Sequence, residues 1–96
     1  MTDVYLSHRA REDLRAIVTL FVRRSASSAF VARFNKAHST LATSPKHGRP
    51  RDDLALGLRS LTLLPFSYVV FYVVESDVVQ IVRIVDGRRD LRTLFR

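Results

Sequence analysis

Apolar residues keep two rhythms along this chain, a helical one in the first half and an alternating one in the second. The opening "DVYLS", residues 3–7, is short, partly β-branched and aromatic, and predicts a strand. Ser7 then stands where a helix needs an N-cap. Ala10, Leu14, Ile17, Val18 and Phe21 recur at helical spacing and predict a helix over about residues 8–23, with Arg9, Arg15 and Arg23 off the apolar stripe. "RSASSAF" breaks that pattern without glycine or proline, and Ser25 or Ser27 is the expected cap of a second helix. Phe30, Phe34, Ala37 and Leu41 step by four, three and four, so this helix has one apolar face to about Ala42. Two amphipathic helices with a short joint predict an αα-hairpin.

"TSPKHGRPRDDLALG" carries turn chemistry and little periodicity, and reads as a connector of about a dozen residues. Three strand-like runs follow: "LRSLTLL", "SYVVFYVV" and "VVQIVRIV", with "ESD" as a tight turn between the last two. Their close spacing predicts an antiparallel meander. In the middle run Tyr68, Val70, Tyr72 and Val74 share one face, and Val69, Phe71 and Val73 share the other. Both faces are apolar, so this is a central strand packed on both sides. The hairpin covers one side; the C-terminal tail or a partner covers the other. The expected fold class is α+β in a single domain over residues 1–96: an N-terminal strand, an αα-hairpin, then a three-stranded meander.

Composition changes this picture in one respect. The net charge is +7 from 16 basic and 9 acidic residues, and lysine occurs only at Lys36 and Lys46. Arginine grips carboxylates and phosphates through a planar fork, so the charge points to an acidic partner, protein or nucleic acid. Cysteine is absent, which excludes disulfides and thiolate metal sites and allows a reducing cytoplasm. No apolar run follows a basic start and none reaches membrane-spanning length, so neither a secretory signal nor a membrane span is expected.

"YLSHRAREDLRAI", "HGRPRDDLALGLRSL", "YVVFYVV" and "VRIVDGRRDLRTLF", in this order, resemble the ParE branch of the ParE/RelE toxin superfamily of type II toxin–antitoxin modules. The resemblance covers nearly the whole chain, with "GLRS" and "GRRDL..LF" as its specific parts. It implies a helical hairpin on a curved antiparallel sheet, and a bacterial cytoplasmic toxin that inhibits DNA gyrase by protein–protein binding. A cognate acidic, ParD-like antitoxin would neutralise it within a hetero-oligomer. RelE-type relatives share the fold but cleave mRNA on the ribosome, and a toxin-fold protein that only binds its antitoxin is a third reading.

The nuclease branch needs groups that move protons and groups that stabilise a phosphorane. This chain departs from that recipe. "SYVV" opens the central strand without a base, and the tail after Val85 has neither histidine nor tyrosine. Many relatives have histidine before the glycine of "GRRD", where this chain has Asp86. Arginine stays protonated and is a poor proton shuttle. His8, His38 and His47 are expected at a helix start, on the outer side of the second helix and in the loop, as surface residues. No catalytic residue, metal ligand or cofactor is therefore expected, and no direct sequence-specific contact with nucleic acid.

Arg59 and Arg83 lie within strands, where charge is unusual, and either point to solvent or line a basic concave face for an acidic antitoxin segment. Tyr68 and Tyr72 are core aromatics or a platform for a partner helix or a base. These four are the candidate antitoxin contacts. Arg88, Arg89, Arg92 and Arg96 are the candidate gyrase contacts. Asp90 is expected to fold the tail back by a local salt bridge to Arg88 or Arg89, with Leu91, Leu94 and Phe95 as apolar anchors.

Overall fold

The computed structural model describes residues 1–95. Its elements run β1 (Asp3–Leu6), α1 (His8–Val22), α2 (Ser27–Thr43), β2 (Arg49–Pro50), β3 (Arg59–Thr62), β4 (Tyr68–Glu75), β5 (Val78–Asp86) and α3 (Leu91–Leu94). They form one five-stranded sheet in the order β1-β5-β4-β3-β2. β3, β4 and β5 are the predicted antiparallel meander, and β1 joins β5 in parallel, Leu6 opposite Ile81. The predicted α+β class and element order therefore stand, with two additions, the short tail helix α3 and a strand within the connector. The expected connector contains a two-residue edge strand, β2, pairing Arg49 with Ser60 and Pro50 with Arg59. An edge that short, ending on proline, offers little for another chain to pair with.

Ser7 caps α1 as predicted: its backbone is extended and its Oγ accepts from the N–H of Ala10. The second helix starts differently from expectation. Ser25 takes a left-handed conformation (φ 54) and the N–H of Ala26 turns back to the carbonyl of Phe21, so Ser25 closes α1. Ala26 occupies the N-cap position without a side-chain bond, and Ser27 is already helical.

The hairpin covers one face of the sheet. Phe30 and Leu41 are fully buried, and Phe21, Phe34 and Ala37 nearly so, against Val70, Tyr72, Val79, Ile81 and Ile84. Phe30 stacks on Phe21 at 5.1 Å between centroids and meets Phe66 and Tyr68 edge-on. The opposite face carries a smaller cluster of Leu58, Val69, Phe71 and Val85. The 51–58 loop covers it with Leu54 and Ala55, and the tail with Leu91, Leu94 and Phe95. β4 therefore feeds both clusters by strict alternation.

β5 does not alternate. Its register against β4 shifts between Phe71 and Tyr72, which pair with Arg83 and Ile81, leaving Val82 as the extra residue of a bulge. Ile81 and Ile84 thereby both face the helices, while Val82 and Val85 face the tail.

Candidate functional site

β1 ends opposite Ile81, whereas β5 runs on to Asp86. The exposed edge of β5 needs other partners there, and the start of the hairpin provides them. The Ser7 Oγ donates to the carbonyl of Val82 at 3.0 Å. Asp13, on the inner side of α1, accepts from the Ile84 N–H at 3.0 Å, and from Arg83 Nε at 2.8 Å and Nη2 at 3.3 Å. The side chains of Arg83 and Asp13 are 14% and 12% exposed, so this ion pair is largely withdrawn from water.

Beside it lies a cleft of about 250 Å³ between α1 and the far ends of β4 and β5. Asp13, Ile17, Tyr68, Arg83, Asp86 and Arg89 are among its lining residues. Tyr68 is held there by Phe21 and Phe30, whose centroids lie 5.9 and 5.8 Å from its own. Asp86 accepts from the backbone N–H of Arg88 at 3.0 Å and binds its guanidinium, Nη2 to Oδ2 at 2.6 Å. The hydrogen bonds from the Arg88 side chain and backbone hold the Asp86 carboxyl far below the usual carboxylate range.

The four strand residues singled out from the sequence do not form one open surface. Tyr72 is fully buried, and its hydroxyl accepts from the Gly48 N–H at 2.7 Å. Burial pushes its pKa up. A methyl group at Gly48 would collide with the Tyr72 ring and hydroxyl, so glycine is required at that approach. Arg59, which pairs in register with Tyr72, donates to the carbonyls of Gly48 and Lys46 and ties the post-α2 loop to the sheet. Arg83 is committed to Asp13. Of the four, Tyr68 and Arg83 come together in the cleft, while Arg59 and Tyr72 sit together at the loop.

The tail also differs from its predicted arrangement. The salt bridge that folds it is Asp86–Arg88. Asp90 is instead the N-cap of α3, accepting from the Arg92 N–H and the Thr93 hydroxyl, which lowers its pKa. Leu91, Leu94 and Phe95 do pack on the sheet, Phe95 against Phe71 at 4.8 Å. Arg89 and Arg92 are exposed and make no side-chain ion pair among the described residues. Arg96 lies outside the described residues.

Sequence reasoning missed Asp13. Its signal was position: three residues after Ala10 and four before Ile17, a carboxylate on the apolar side of the helix. The histidines lie on α1, on α2 and in the following loop, with His8 3.5 Å from Glu12. Among the described residues no group of three His, Asp or Glu side chains is placed to hold a metal ion, and no helix is long and apolar enough to cross a membrane.

A likeness to known proteins covers most of this architecture. Residues 4–91 match the model of the ParE toxin of the type II toxin–antitoxin system parDE. Toxin ParE3 of Caulobacter vibrioides is 37% identical over 65 residues, 68% of this chain and 63% of that relative, so the match spans less than two thirds of the relative's length. A chain of the solved structure described as the chromosomal ParDE system from P. aeruginosa superposes with a TM-score of 0.75. It has 24% identity and covers 90% of this chain and 96% of that one. By that family match, this chain belongs to the ParE toxins of type II toxin–antitoxin systems.

Proposed function

We propose that this toxin inhibits DNA gyrase by protein–protein contact and is neutralised by a cognate acidic antitoxin. The observation that carries the non-enzymatic reading is the state of the cleft's ionisable groups. Both carboxylates are committed to arginines, Asp13 to Arg83 and Asp86 to Arg88. What remains there is arginine and one tyrosine, which can hold an anion but supply no matched base and acid. In this reading the tail meets gyrase through Arg89 and Arg92, whose charge is not spent internally, with Arg96 beyond them.

The antitoxin takes the half of the sheet that the tail leaves bare. Tyr5, Gln80 and Val73 stand in register across β1, β5 and β4, and Asp3, Val78 and Glu75 form the next row. Tyr5 is 56% exposed, and Val73, Glu75, Val78 and Gln80 line a shallow depression of about 340 Å³. An amphipathic segment laid there would bury the tyrosine and both valines. Of the strand candidates, Tyr68 and Arg83 remain for a second contact at the cleft.

The test is a plasmid assay with purified toxin and gyrase, alongside primer extension on translated mRNA. The expected result is accumulation of gyrase-cleaved DNA and intact message, with cleavage suppressed by the product of an adjacent acidic reading frame. Codon-dependent cuts in the message would instead establish the mRNA interferase.

A further inference from the structure

We propose that the solvent face of the α1–α2 hairpin docks the phosphate backbone of duplex DNA without regard to sequence. The proposal rests on how charge is sorted in the fold and does not depend on the gyrase reading. The hairpin, residues 8–43, contains seven arginines and lysines and two acids, Glu12 and Asp13. Six of the nine acids are placed as follows: Glu12 on the hairpin itself, exposed beside His8, Asp13 with Arg83, Asp52 with the Gly57 N–H, Asp53 with Arg51, Asp86 with Arg88, and Asp90 as a helix cap. The other three, Asp3, Glu75 and Asp77, gather where β1 begins and β4 turns into β5, as their common register with Val78 and its neighbour requires. The α1–α2 turn is at the other end of the sheet, since Phe21 rests on Tyr68, the first residue of β4. Glu12 is the one exposed carboxylate on the helical layer, set against the exposed cations Arg11, Arg15, Arg23, Arg24 and Lys36.

The side chains of Arg11, Arg15, Arg23, Arg24 and Lys36 are exposed and make no ion pair among the described residues. Arg11 and Arg15 are one helical turn apart, a like-charge spacing that weakens an isolated helix. Glu12, which lines a surface depression with Arg15, offsets part of that repulsion; a row of phosphates would offset more. Hydroxyl and amide groups stand among the cations, with Thr19, Ser28, Asn35 and Ser39 all exposed. Arginine, lysine, serine, threonine and asparagine are the usual phosphate contacts. Aromatic anchors, which dominate protein–protein contacts, are withheld: Phe21, Phe30 and Phe34 all point inward. DNA is therefore favoured over an acidic polypeptide. α2 has 17 residues, about 25 Å at the helical rise, which matches roughly seven base pairs.

The experiment titrates the purified chain into two fluorescein-labelled duplexes of unrelated sequence, following anisotropy from about 50 to 200 mM salt. Binding should be equal for both duplexes and fall steeply with salt. Arg15→Gln, Arg24→Gln and Lys36→Gln combined should weaken binding at low salt at least about tenfold and flatten the log–log salt slope by about 2.7, at roughly 0.9 per contact. The melting temperature should not change. Arg11→Gln with Arg23→Gln, an independent pair, should flatten the slope by about 1.8 on the same basis, and Arg92→Gln on α3 should leave it unaltered. The proposal is overturned if the wild type shows no saturable binding, or if both multiple variants bind like the wild type. It is equally overturned if polyglutamate competes as well as unlabelled duplex, charge for charge, because the face would then be a site for acidic polypeptides.

Discussion

The two faces of the sheet are built from the same strand, yet they are covered in different ways. Toward the hairpin, Val70 and Tyr72 of β4 meet two helices of 15 and 17 residues, and the aromatic rings of Phe21, Phe30, Phe66 and Tyr68 interlock. Toward the tail, Val69 and Phe71 meet a four-residue helix, a loop and the ring of Phe95, all partly exposed. The first covering is continuous and local in sequence. The second is assembled from chain ends and loops that contribute few buried groups, the composition expected of low local stability. The hairpin face holds the fold, and the tail face is the one a partner can rearrange.

Substitutions can break that contrast in order of severity. Phe30→Ala removes a fully buried ring at the centre of the aromatic cluster and should cost about 4 kcal/mol. A domain of this size has only about 5–10 kcal/mol to lose. Thermal unfolding followed by circular dichroism should find it largely unfolded near physiological temperature. A melting point close to wild type would mean that the hairpin is not the principal core.

Next comes Asp13→Ala, which strands the Arg83 guanidinium and the Ile84 N–H in a partly buried place. The expected loss is about 3 kcal/mol. Adding Arg83→Met should recover part of it by removing the unpaired charge. Denaturant titration of the single and double variants gives the coupling directly, and strict additivity would show that the pair is not a unit.

Phe95→Ala acts on the weaker face. Its ring is only half-buried, so the cost should be about 2 kcal/mol rather than that of a core phenylalanine. Hydrogen exchange should accelerate in α3 and the 51–58 loop while α1 and α2 stay protected. Uniform acceleration across the chain would erase the distinction between the faces.

The smallest effect is acid sensitivity of the tail. Hydrogen bonds from Arg88 lower the Asp86 carboxyl in the folded state. Its stabilising contribution is therefore fully present above the unfolded-state value near 4 and is lost as pH falls toward the folded one. Asp86→Asn should melt slightly lower than wild type at neutral pH, and the difference should shrink steadily below about pH 4. A gap that widens on acidification would put the stabilising pair elsewhere.

Much of the fold could be read from periodicity, because each helix and each meander strand buries a face on its own. β2 could not, since two residues ending on proline become a strand only when β3 lies beside them. The bulge in β5 was equally hidden. Simple alternation from Ile81 sends Arg83 to the helical side and Ile84 away from it; one extra residue brings Ile84 to the helices and leaves Arg83 at the edge, within reach of Asp13. That partner is 70 positions away, and no local pattern announces it. The site was less legible than the fold for the same reason. Tyr72 could be read as core or as platform, because alternating aromatics look alike whether buried or open; the fold makes it core. The Asp86–Arg88 contact is local, yet Asp90 appeared the better partner until the cap of α3 claimed it. Free charge is thus a property of the folded arrangement: the tail keeps less of it than its arginines suggest, and the hairpin keeps more.

The placement of Asp3, Glu75 and Asp77 has a kinetic consequence. β4 is eight residues long, about 25 Å at the strand rise, and it separates these carboxylates from Arg23 and Arg24. The domain is thus a permanent electric dipole as well as a net cation. In the field of a large polyanion such a body feels a torque before it feels a contact, and it turns its hairpin end forward while still in solution. Orientation, which ordinarily slows the meeting of two specific surfaces, is then partly settled during approach. The advantage fades as the Debye length contracts to about 8 Å at physiological ionic strength, so the arrival rate responds to salt.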